Sequence, residues 1–244
     1  MDEGIQRDML LGYSLGEIVA LAASGFVSIE DAIDFLIRSS RLIEEKTPRA
    51  SMLAILHSRD VIEEYPDEFA DTTVASINFS RSFVLAGRVE RLKQVQQFLA
   101  EKSILTQLLP IDCGFHSPLI DAVESEYKSL LESMRPEESR VPVISSAYAE
   151  RLDRSSITSR YYWDLIRGPV NFDKTVAMLE ESGPYLYIDS GPSGTLATFV
   201  KYLLRSDSQS KALPLLDQFG YNMRNLGKVQ VACDVADQVQ RKYA

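Results

Sequence analysis

The sequence predicts a mixed α/β fold, in which a parallel sheet covered by helices is interrupted by a smaller unit. Helix-like and strand-like segments alternate along most of the chain, and this alternation is typical of a parallel sheet with helices on its faces. Between residues 50 and 113 the order becomes strand, helix, strand, strand, helix, strand, which is that of a ferredoxin-like (βαββαβ) unit. The 244 residues are enough for a domain with such an insertion.

The predicted elements follow in chain order. Before the insertion they are a helix at 15–23, which follows a short apolar run at residues 9–11, and a helix from 29 to about 45. In the insertion they are strands at 52–56, 73–79, 82–86 and 105–111 and helices at 60–65 and 89–102. After it they are helices at 119–134, 161–167, 172–182 and 194–204 and strands at 141–145 and 185–188.

Local signals justify several of these boundaries. Gly25 is suited to the left-handed conformation that ends a helix, so it is the expected cap of the first helix. Ser28 followed by Asp31 resembles a capping box at the start of the second helix. Because both ends of the insertion adjoin the motifs described below, we expect a catalytic domain of residues 1–49 and 114–244 and an inserted subdomain of residues 50–113.

Composition and charge narrow the classes of function. Apolar residues make up 45% and charged residues 25%, as in ordinary globular domains. The net charge of −9 argues against nucleic acid as a partner. The longest apolar runs are too short to cross a bilayer, and the acidic start is unlike a secretory signal. The two cysteines, Cys113 and Cys233, lack metal-ligand spacing, which favours a reduced, cytoplasmic setting without a metal.

One sequence motif indicates a catalytic site. Residues 12–16, Gly-Tyr-Ser-Leu-Gly, match the nucleophile elbow G-x-S-x-G, in which a strained serine stands between a strand and a helix. The glycines avoid collisions with neighbouring strands, and the backbone N–H after the serine faces a developing oxyanion. Ser14 is therefore the candidate nucleophile and the Leu15 amide the candidate oxyanion donor. The alternative is a glycine-rich turn with an incidental serine.

A nucleophilic serine needs a base, and the sequence contains two histidines. His57 ends a strand of the insertion, where a packing or surface role is expected. His116 lies in Gly-Phe-His-Ser-Pro, residues 114–118, a turn between a strand and a helix where active-site residues are common. His116 is therefore the predicted general base.

Three stretches together resemble the malonyl-CoA:acyl-carrier-protein transacylase family, which includes the acyltransferase domains of fatty acid and polyketide synthases. They are GYSLGE at 12–17, GFHSPL at 114–119 and GPSGTL at 191–196. The resemblance implies an α/β-hydrolase-like domain with a ferredoxin-like insertion and acyl transfer through an acyl-serine, without a cofactor. It also implies that a backbone carbonyl near Leu165 orients His116, with Asp189 as the fallback.

One departure from the family concerns the substrate. Malonyl-type members hold the free carboxylate with an arginine on the helix after the elbow, and ungapped counting places Ser39 there. A shift of register would restore Arg38 or Arg41 at that position. Without the cation a buried carboxylate would be unpaired, so we expect uncharged acyl groups in a pocket that includes Ser39, Phe115 and Asn78.

A subgroup of the family lacks this arginine, the discrete acyl hydrolases of trans-acyltransferase polyketide assembly lines. Residues 108–111 and 190–197 resemble it. The expected function is hydrolysis of acyl-carrier-protein thioesters in polyketide antibiotic biosynthesis. The alternatives are acyl transfer from acyl-CoA, with malonyl or acetyl groups, and a non-catalytic remnant that binds carrier protein. Because residues 1–10 do not resemble the Gly-Gln-Gly segment of the family, we expect a fragment, a shortened gene product or a protein completed by another chain.

Overall fold

The structure is a computed structural model, which describes residues 7–131 and 134–243. The chain divides into two compact units, one formed by Asp8–Thr175 and the other containing the residues from Val176 onward. The predicted domain boundaries at residues 49 and 113 fall inside the first unit and stay a prediction.

The secondary structure of the first unit follows in chain order. Its strands are β1 (Leu10–Leu11), β2 (Ser51–Ile55), β3 (Thr72–Phe79), β4 (Ser82–Gly87), β5 (Thr106–Leu108), β6 (Val143–Ser145), β7 (Glu150–Leu152) and β8 (Val170–Asn171). Its helices are α1 (Leu15–Ser24), α2 (Ile29–Lys46), α3 (Asp60–Glu64), α4 (Val89–Glu101), α5 (Glu124–Ser129) and α6 (Ser159–Arg167), and α7 (Phe172–Glu180) begins here. Short 3₁₀ turns occupy Pro66–Phe69, Pro118–Val123 and Arg154–Ser156.

The second unit contains β9 (Leu186–Asp189), α8 (Thr195–Leu203), β10 (Lys211–Pro214) and α9 (Asn222–Tyr243). β9 and β10 pair in parallel. β10 and α9 were not among the elements predicted from the sequence.

The caps confirm the predicted end of α1 and the predicted start of α2. The Ser28 side chain accepts a hydrogen bond from the Asp31 N–H at the start of α2, and Gly25 ends α1 with φ 89°. The single helix predicted at 119–134 is wrong, because a 3₁₀ turn precedes α5, which ends at Ser129. The Ser117 hydroxyl accepts from the Leu119 N–H there, a local bond of the kind that competes with α-helix. Residues 132 and 133 of that predicted helix lie outside the described part.

Five strands form one sheet, in the order β5-β2-β4-β3-β8. The first four pair antiparallel, as expected of the ferredoxin-like unit. β8, which follows α6, adds parallel to β3. One face packs Leu53, Phe83 and Leu85 against α4, while the other carries Met52, Val84 and Ala86 in a separate cluster. The predicted ferredoxin-like subdomain is therefore present, extended by one strand from elsewhere in the chain.

A second sheet supports the elbow, with the order β1-β6-β7. β1 pairs parallel with β6, as predicted for this part of the chain, whereas the unpredicted β7 is antiparallel. The largest core cluster packs residues of α1, α2, α5 and α6 together. α1 and α2 are thereby fixed beside the strand that leads into the candidate nucleophile.

Candidate active site

Ser14 occupies a strained turn between β1 and α1. Its φ of 51° and ψ of −122° are costly for a residue with a Cβ, and such strain is concentrated at functional sites. A Cβ at Gly12 would lie 2.1 Å from the Cα of Glu17, so only glycine fits there. Gly16 has open space where its Cβ would be, so a side chain would collide at Gly12 alone, and there with α1 rather than with a neighbouring strand as predicted.

The structure brings the two predicted catalytic side chains together. The Ser14 Oγ lies 2.8 Å from the His116 Nε2, which is hydrogen-bonding distance. His116 also has a left-handed backbone, with φ 59°, and its N–H donates to the Ile166 carbonyl at 2.7 Å. His57 has a local contact instead, with its Nδ1 3.1 Å from the Ser58 carbonyl.

The orientation of His116 corrects one prediction. Its Nδ1 lies 2.7 Å from the carbonyl oxygen of Gly168, not that of Leu165. Leu165 lies inside α6 with its side chain in the core, whereas Gly168 follows the last residue of the helix in an extended conformation, and its carbonyl is free of the helix and reaches His116. Because a carbonyl only accepts, Nδ1 carries the proton and Nε2 offers its lone pair to the Ser14 hydroxyl.

Asp189, the fallback acid, is engaged within the second unit. Its carboxylate oxygens accept hydrogen bonds from the backbone N–H groups of Gly191 and Ala197, at 2.8 and 2.9 Å. The Gly168 carbonyl already occupies the position of the third member of the triad, so the arrangement is serine, histidine and backbone carbonyl.

Burial keeps His116 neutral. The residue is 3% exposed, and burial lowers its pKa to about 4, against the opposing effect of the hydrogen bond to Gly168. At neutral pH the imidazole is therefore unprotonated and able to take a proton from Ser14. This is the protonation state that a general base requires.

The Leu15 amide is placed as an oxyanion donor would be. The Gly16 and Glu17 amides donate to the carbonyls of Tyr13 and Ser14, at 2.9 and 2.8 Å. Within residues 7–131 and 134–243 the Leu15 amide, at the N-terminus of α1, has no such acceptor. Its role as an oxyanion donor stays a prediction.

A cavity of about 550 Å³ opens beside the Ser14–His116 pair. It lies between the elbow, α2 and the second face of the five-stranded sheet. Among the described residues, none that lines it carries a charge. The lining residues from the sheet side and the loops that flank it include Met52, Ser76, Val84, Leu109, Ile111, Phe115 and Val170, and those from the helical side include Leu15, Ile18, Leu36, Ile37, Ser39, Ser40, Ile43 and Tyr127.

Ser39 and Phe115 line this cavity, in agreement with their predicted place. Ser39 is buried on the cavity side of α2 while Arg38 and Arg41 are exposed, which favours the ungapped register. Arg38 forms an ion pair with Asp34 at 3.3 Å, one helical turn earlier. No arginine therefore occupies the position of a carboxylate clamp in the described cavity.

Asn78 does not line the cavity, so its predicted place in the substrate pocket is wrong. It is 2% exposed, and its side-chain oxygen accepts from the hydroxyls of Tyr13 and Ser76, at 2.8 and 3.2 Å. Its amide donates to the Ser82 hydroxyl at 3.1 Å. Tyr13 and Ser76 both line the cavity. Asn78 lies outside the lining and fixes these two side chains through its hydrogen bonds.

The part of the cavity lining that comes from the sheet was not predicted from the sequence. Met52 and Val84 point to the opposite face from their apolar neighbours, so β2 and β4 are apolar on both faces. Such strands indicate a sheet that is buried on both sides, which was the available signal. The described residues contain no cluster suited to a metal ion, and none of their helices is long and apolar enough to cross a membrane.

Comparison with known proteins gives one family. The model of the acyl transferase domain matches residues 2–241. The polyketide biosynthesis acyltransferase homolog PksD of Bacillus subtilis (strain 168) is 35% identical over 229 residues, covering 94% of this chain and 70% of PksD. The homolog BaeD of Bacillus velezensis is 36% identical over 227 residues, covering 93% of this chain and 69% of BaeD.

Two solved structures share the fold. A loading acyltransferase from the avermectin modular polyketide synthase superposes with a TM-score of 0.86 at 24% identity, over 94% of this chain and 74% of that one. MCAT from Streptococcus pneumoniae superposes with a TM-score of 0.77 at 26% identity, over 93% of this chain and 74% of that one. These superpositions confirm the predicted α/β-hydrolase-like core with a ferredoxin-like subdomain.

Proposed function

The chain belongs to the acyl transferase domain family, and on this basis we propose that it hydrolyses acyl-carrier-protein thioesters that carry uncharged acyl groups. Members of this family are enzymes that act on acyl thioesters. The names of PksD and BaeD support a place in polyketide biosynthesis. The observation that carries the proposal is the uncharged cavity that adjoins the Ser14–His116 pair.

The chemistry has two halves. Ser14 Oγ attacks the thioester carbonyl while His116 Nε2 takes its proton; the C–S bond then breaks, and the proton passes to the departing thiolate. In the second half His116 takes a proton from water, the hydroxide adds to the acyl-serine carbon, and the proton returns to Ser14 Oγ as the free acid leaves. The Leu15 amide faces the oxyanion in both halves, and the Gly168 carbonyl holds the imidazole in the required tautomer.

The lining of the cavity supports an uncharged acyl group. Its volume of about 550 Å³ is within the range of small-molecule pockets and exceeds the needs of an acetyl group. A malonyl carboxylate would enter a space where Ser39, rather than a cation, lies on α2, and an unpaired buried charge is costly.

Acyl transfer is the second candidate function, because the family match is to acyl transferase domains. The two reactions share the acyl-serine and differ in whether water or a second thiol attacks it. The third possibility, a remnant that binds carrier protein without catalysis, is less well supported, because Ser14 and His116 remain within hydrogen-bonding distance.

Intact-protein mass spectrometry during incubation with acetyl-carrier protein distinguishes these functions. We expect a short-lived acetyl adduct on Ser14, with acetate released as the carrier thiol is regenerated. A lasting adduct that is discharged only by a second carrier thiol would replace hydrolysis with transfer. If neither an adduct nor the free acid forms with carrier-bound or coenzyme A thioesters, the non-catalytic alternative is correct.

The variant Ser39→Arg tests the basis of the acyl preference. A guanidinium on the cavity side of α2 can pair with a malonyl carboxylate and also obstructs long acyl chains. We expect the ratio of kcat/KM for malonyl over acetyl thioesters to rise roughly tenfold to a hundredfold, which corresponds to about 1.4–2.8 kcal/mol.

The matched control is Arg38→Ala, which removes an exposed cation next to Ser39 in the sequence and should leave the ratio unchanged. The measurement is a competition assay between the two thioesters, with the melting temperature of each variant as a check on folding. A wild-type preference for malonyl that Arg38→Ala abolishes would contradict the exclusion of Arg38 from the cavity.

A further inference from the structure

A fully buried carboxylate lies beneath the elbow. Glu17 is 0% exposed, and its Oε2 accepts hydrogen bonds from the N–H and the hydroxyl of Ser146, both at 2.9 Å. Its Oε1 accepts from the Tyr161 hydroxyl at 2.7 Å. Burial raises the pKa of this carboxyl, and the donated hydrogen bonds act in the opposite direction. Burying a carboxylate is costly, so a buried glutamate at this position indicates a role in fixing the geometry of the surrounding elements.

The position of Glu17 connects it to the nucleophile. Glu17 lies in the first turn of α1, and its backbone N–H donates to the Ser14 carbonyl at 2.8 Å. The backbone of Gly12 packs directly on the Glu17 Cα, so closely that no Cβ fits between them. The backbone of Glu17 therefore packs against the turn that holds Ser14 and is hydrogen-bonded to it.

The residues that donate hydrogen bonds to the Glu17 side chain are connected to the segment that orients His116. Tyr161 lies in the first turn of α6, and Gly168, whose carbonyl binds His116 Nδ1, comes directly after that helix. Ser146 follows β6, and its carbonyl accepts from the Asn171 N–H at 2.9 Å, three residues beyond Gly168. The carboxylate thus joins α1 to both sides of the segment that carries the orienting carbonyl.

We propose that Glu17 is a positioning residue, whose carboxylate fixes α1 to residues 161–171 and thereby sets the distance between Ser14 Oγ and His116 Nε2. The proposal rests on the proposed function only for the role of Ser14 as the nucleophile. The elbow and the base come from chain segments about a hundred residues apart, so their alignment needs a direct connection. Displacement of a reacting group by about 1 Å can lower a rate on the order of a hundredfold.

Three variants weaken the hydrogen bonds of the Glu17 side chain to different degrees. Glu17→Ala removes the side-chain carboxyl group and with it the hydrogen bonds from Ser146 and Tyr161. Glu17→Gln can keep them, because its amide oxygen can accept from Ser146 and its amide N–H can donate to the Tyr161 oxygen. Tyr161→Phe removes one bond and retains the buried ring. The matched control is Leu21→Ala, which truncates a fully buried side chain one turn further along α1 and touches none of these hydrogen bonds.

The primary readout is the rate at which an alkyl fluorophosphonate labels Ser14, since this reaction needs the Ser14–His116 pair but no carrier protein. We expect Glu17→Ala to slow labelling by about a hundredfold, Tyr161→Phe by a smaller factor and Glu17→Gln by no more than a few-fold. With thioester substrate, kcat should fall in the same order while KM stays nearly constant, because the acyl cavity is unchanged.

Two results would overturn the proposal. One is a folded Glu17→Ala protein that labels at the wild-type rate. The other is a loss that Leu21→Ala reproduces at the same reduction in melting temperature, which would assign the effect to stability alone. Failure of the proposed function is recognised separately, since it would appear as a wild-type protein that labels with fluorophosphonate but does not turn over thioesters.

Discussion

Replacing Ser14 with alanine is expected to abolish both covalent labelling and thioester turnover, with a loss of kcat on the order of 10⁴- to 10⁶-fold. Ser14 Oγ is the atom 2.8 Å from the neutral imidazole of His116, and alanine offers no nucleophile in its place. The fold should be unaffected, because alanine retains the Cβ and hence the same backbone strain at φ 51°. The measurements are single-turnover kinetics with an acyl thioester and intact mass after incubation.

The matched control for this prediction is Ser24→Ala, at the other end of α1. Ser24 is the last residue of the helix that Ser14 precedes, and its hydroxyl donates to the Leu21 carbonyl rather than facing the cavity. Its loss should lower stability by about 1 kcal/mol and leave the acylation rate within a few-fold. Retained turnover in Ser14→Ala would remove Ser14 as the nucleophile.

Replacing His116 with alanine is expected to slow acylation of Ser14 by about 10²- to 10⁴-fold, the usual contribution of a general base. His57→Ala should leave the rate within a few-fold, because His57 has only a local contact to Ser58. The reverse pattern would identify His57 as the base. Rapid-quench measurement of the acyl-enzyme, combined with the melting temperatures of both variants, separates these outcomes.

The pH dependence of the acylation rate of the wild-type protein independently tests the role of His116 as the base. Burial lowers the pKa of His116 to about 4, so the imidazole is neutral above that pH and protonated below it. The acylation rate should therefore fall as the pH is lowered through about 4, rather than through the ordinary histidine range near 6.5. A midpoint near 6.5 would mean that the imidazole is more solvated than its 3% exposure implies.

Local sequence was sufficient to predict the elbow, the pairing of Ser14 with His116 and most helix boundaries. Ser14 is recognisable because the glycine at position 12 is demanded by the close approach of Glu17, a constraint only five residues long. The start of α2 is fixed by a bond between Ser28 and Asp31, three residues apart. Features of this kind depend on residues that are close together in the chain, so they can be predicted from a local pattern of residue types.

The incorrect predictions concern features that arise from distant contacts. The Gly168 carbonyl is a backbone group, present at every residue, and only the end of α6 decides which carbonyl reaches His116. A Cβ at Gly168 would lie 2.8 Å from the Asp164 carbonyl, which explains why glycine stands there once the helix end is known. The uncharged cavity likewise forms only when α2 and the sheet are brought together.

The strand β8 has a consequence for the redesign of this protein. Val170 pairs with Ser76 of β3, both line the cavity, and Val170 lies two residues after the Gly168 carbonyl. A substitution that reshapes the cavity from this edge of the sheet therefore also displaces the group that orients His116, because packed interiors transmit strain. Ile43 and Leu36 border the same space from α2, outside that strand pairing. New acyl specificities should accordingly be easier to reach, in the laboratory or by divergence, through α2 than through β3 and β8.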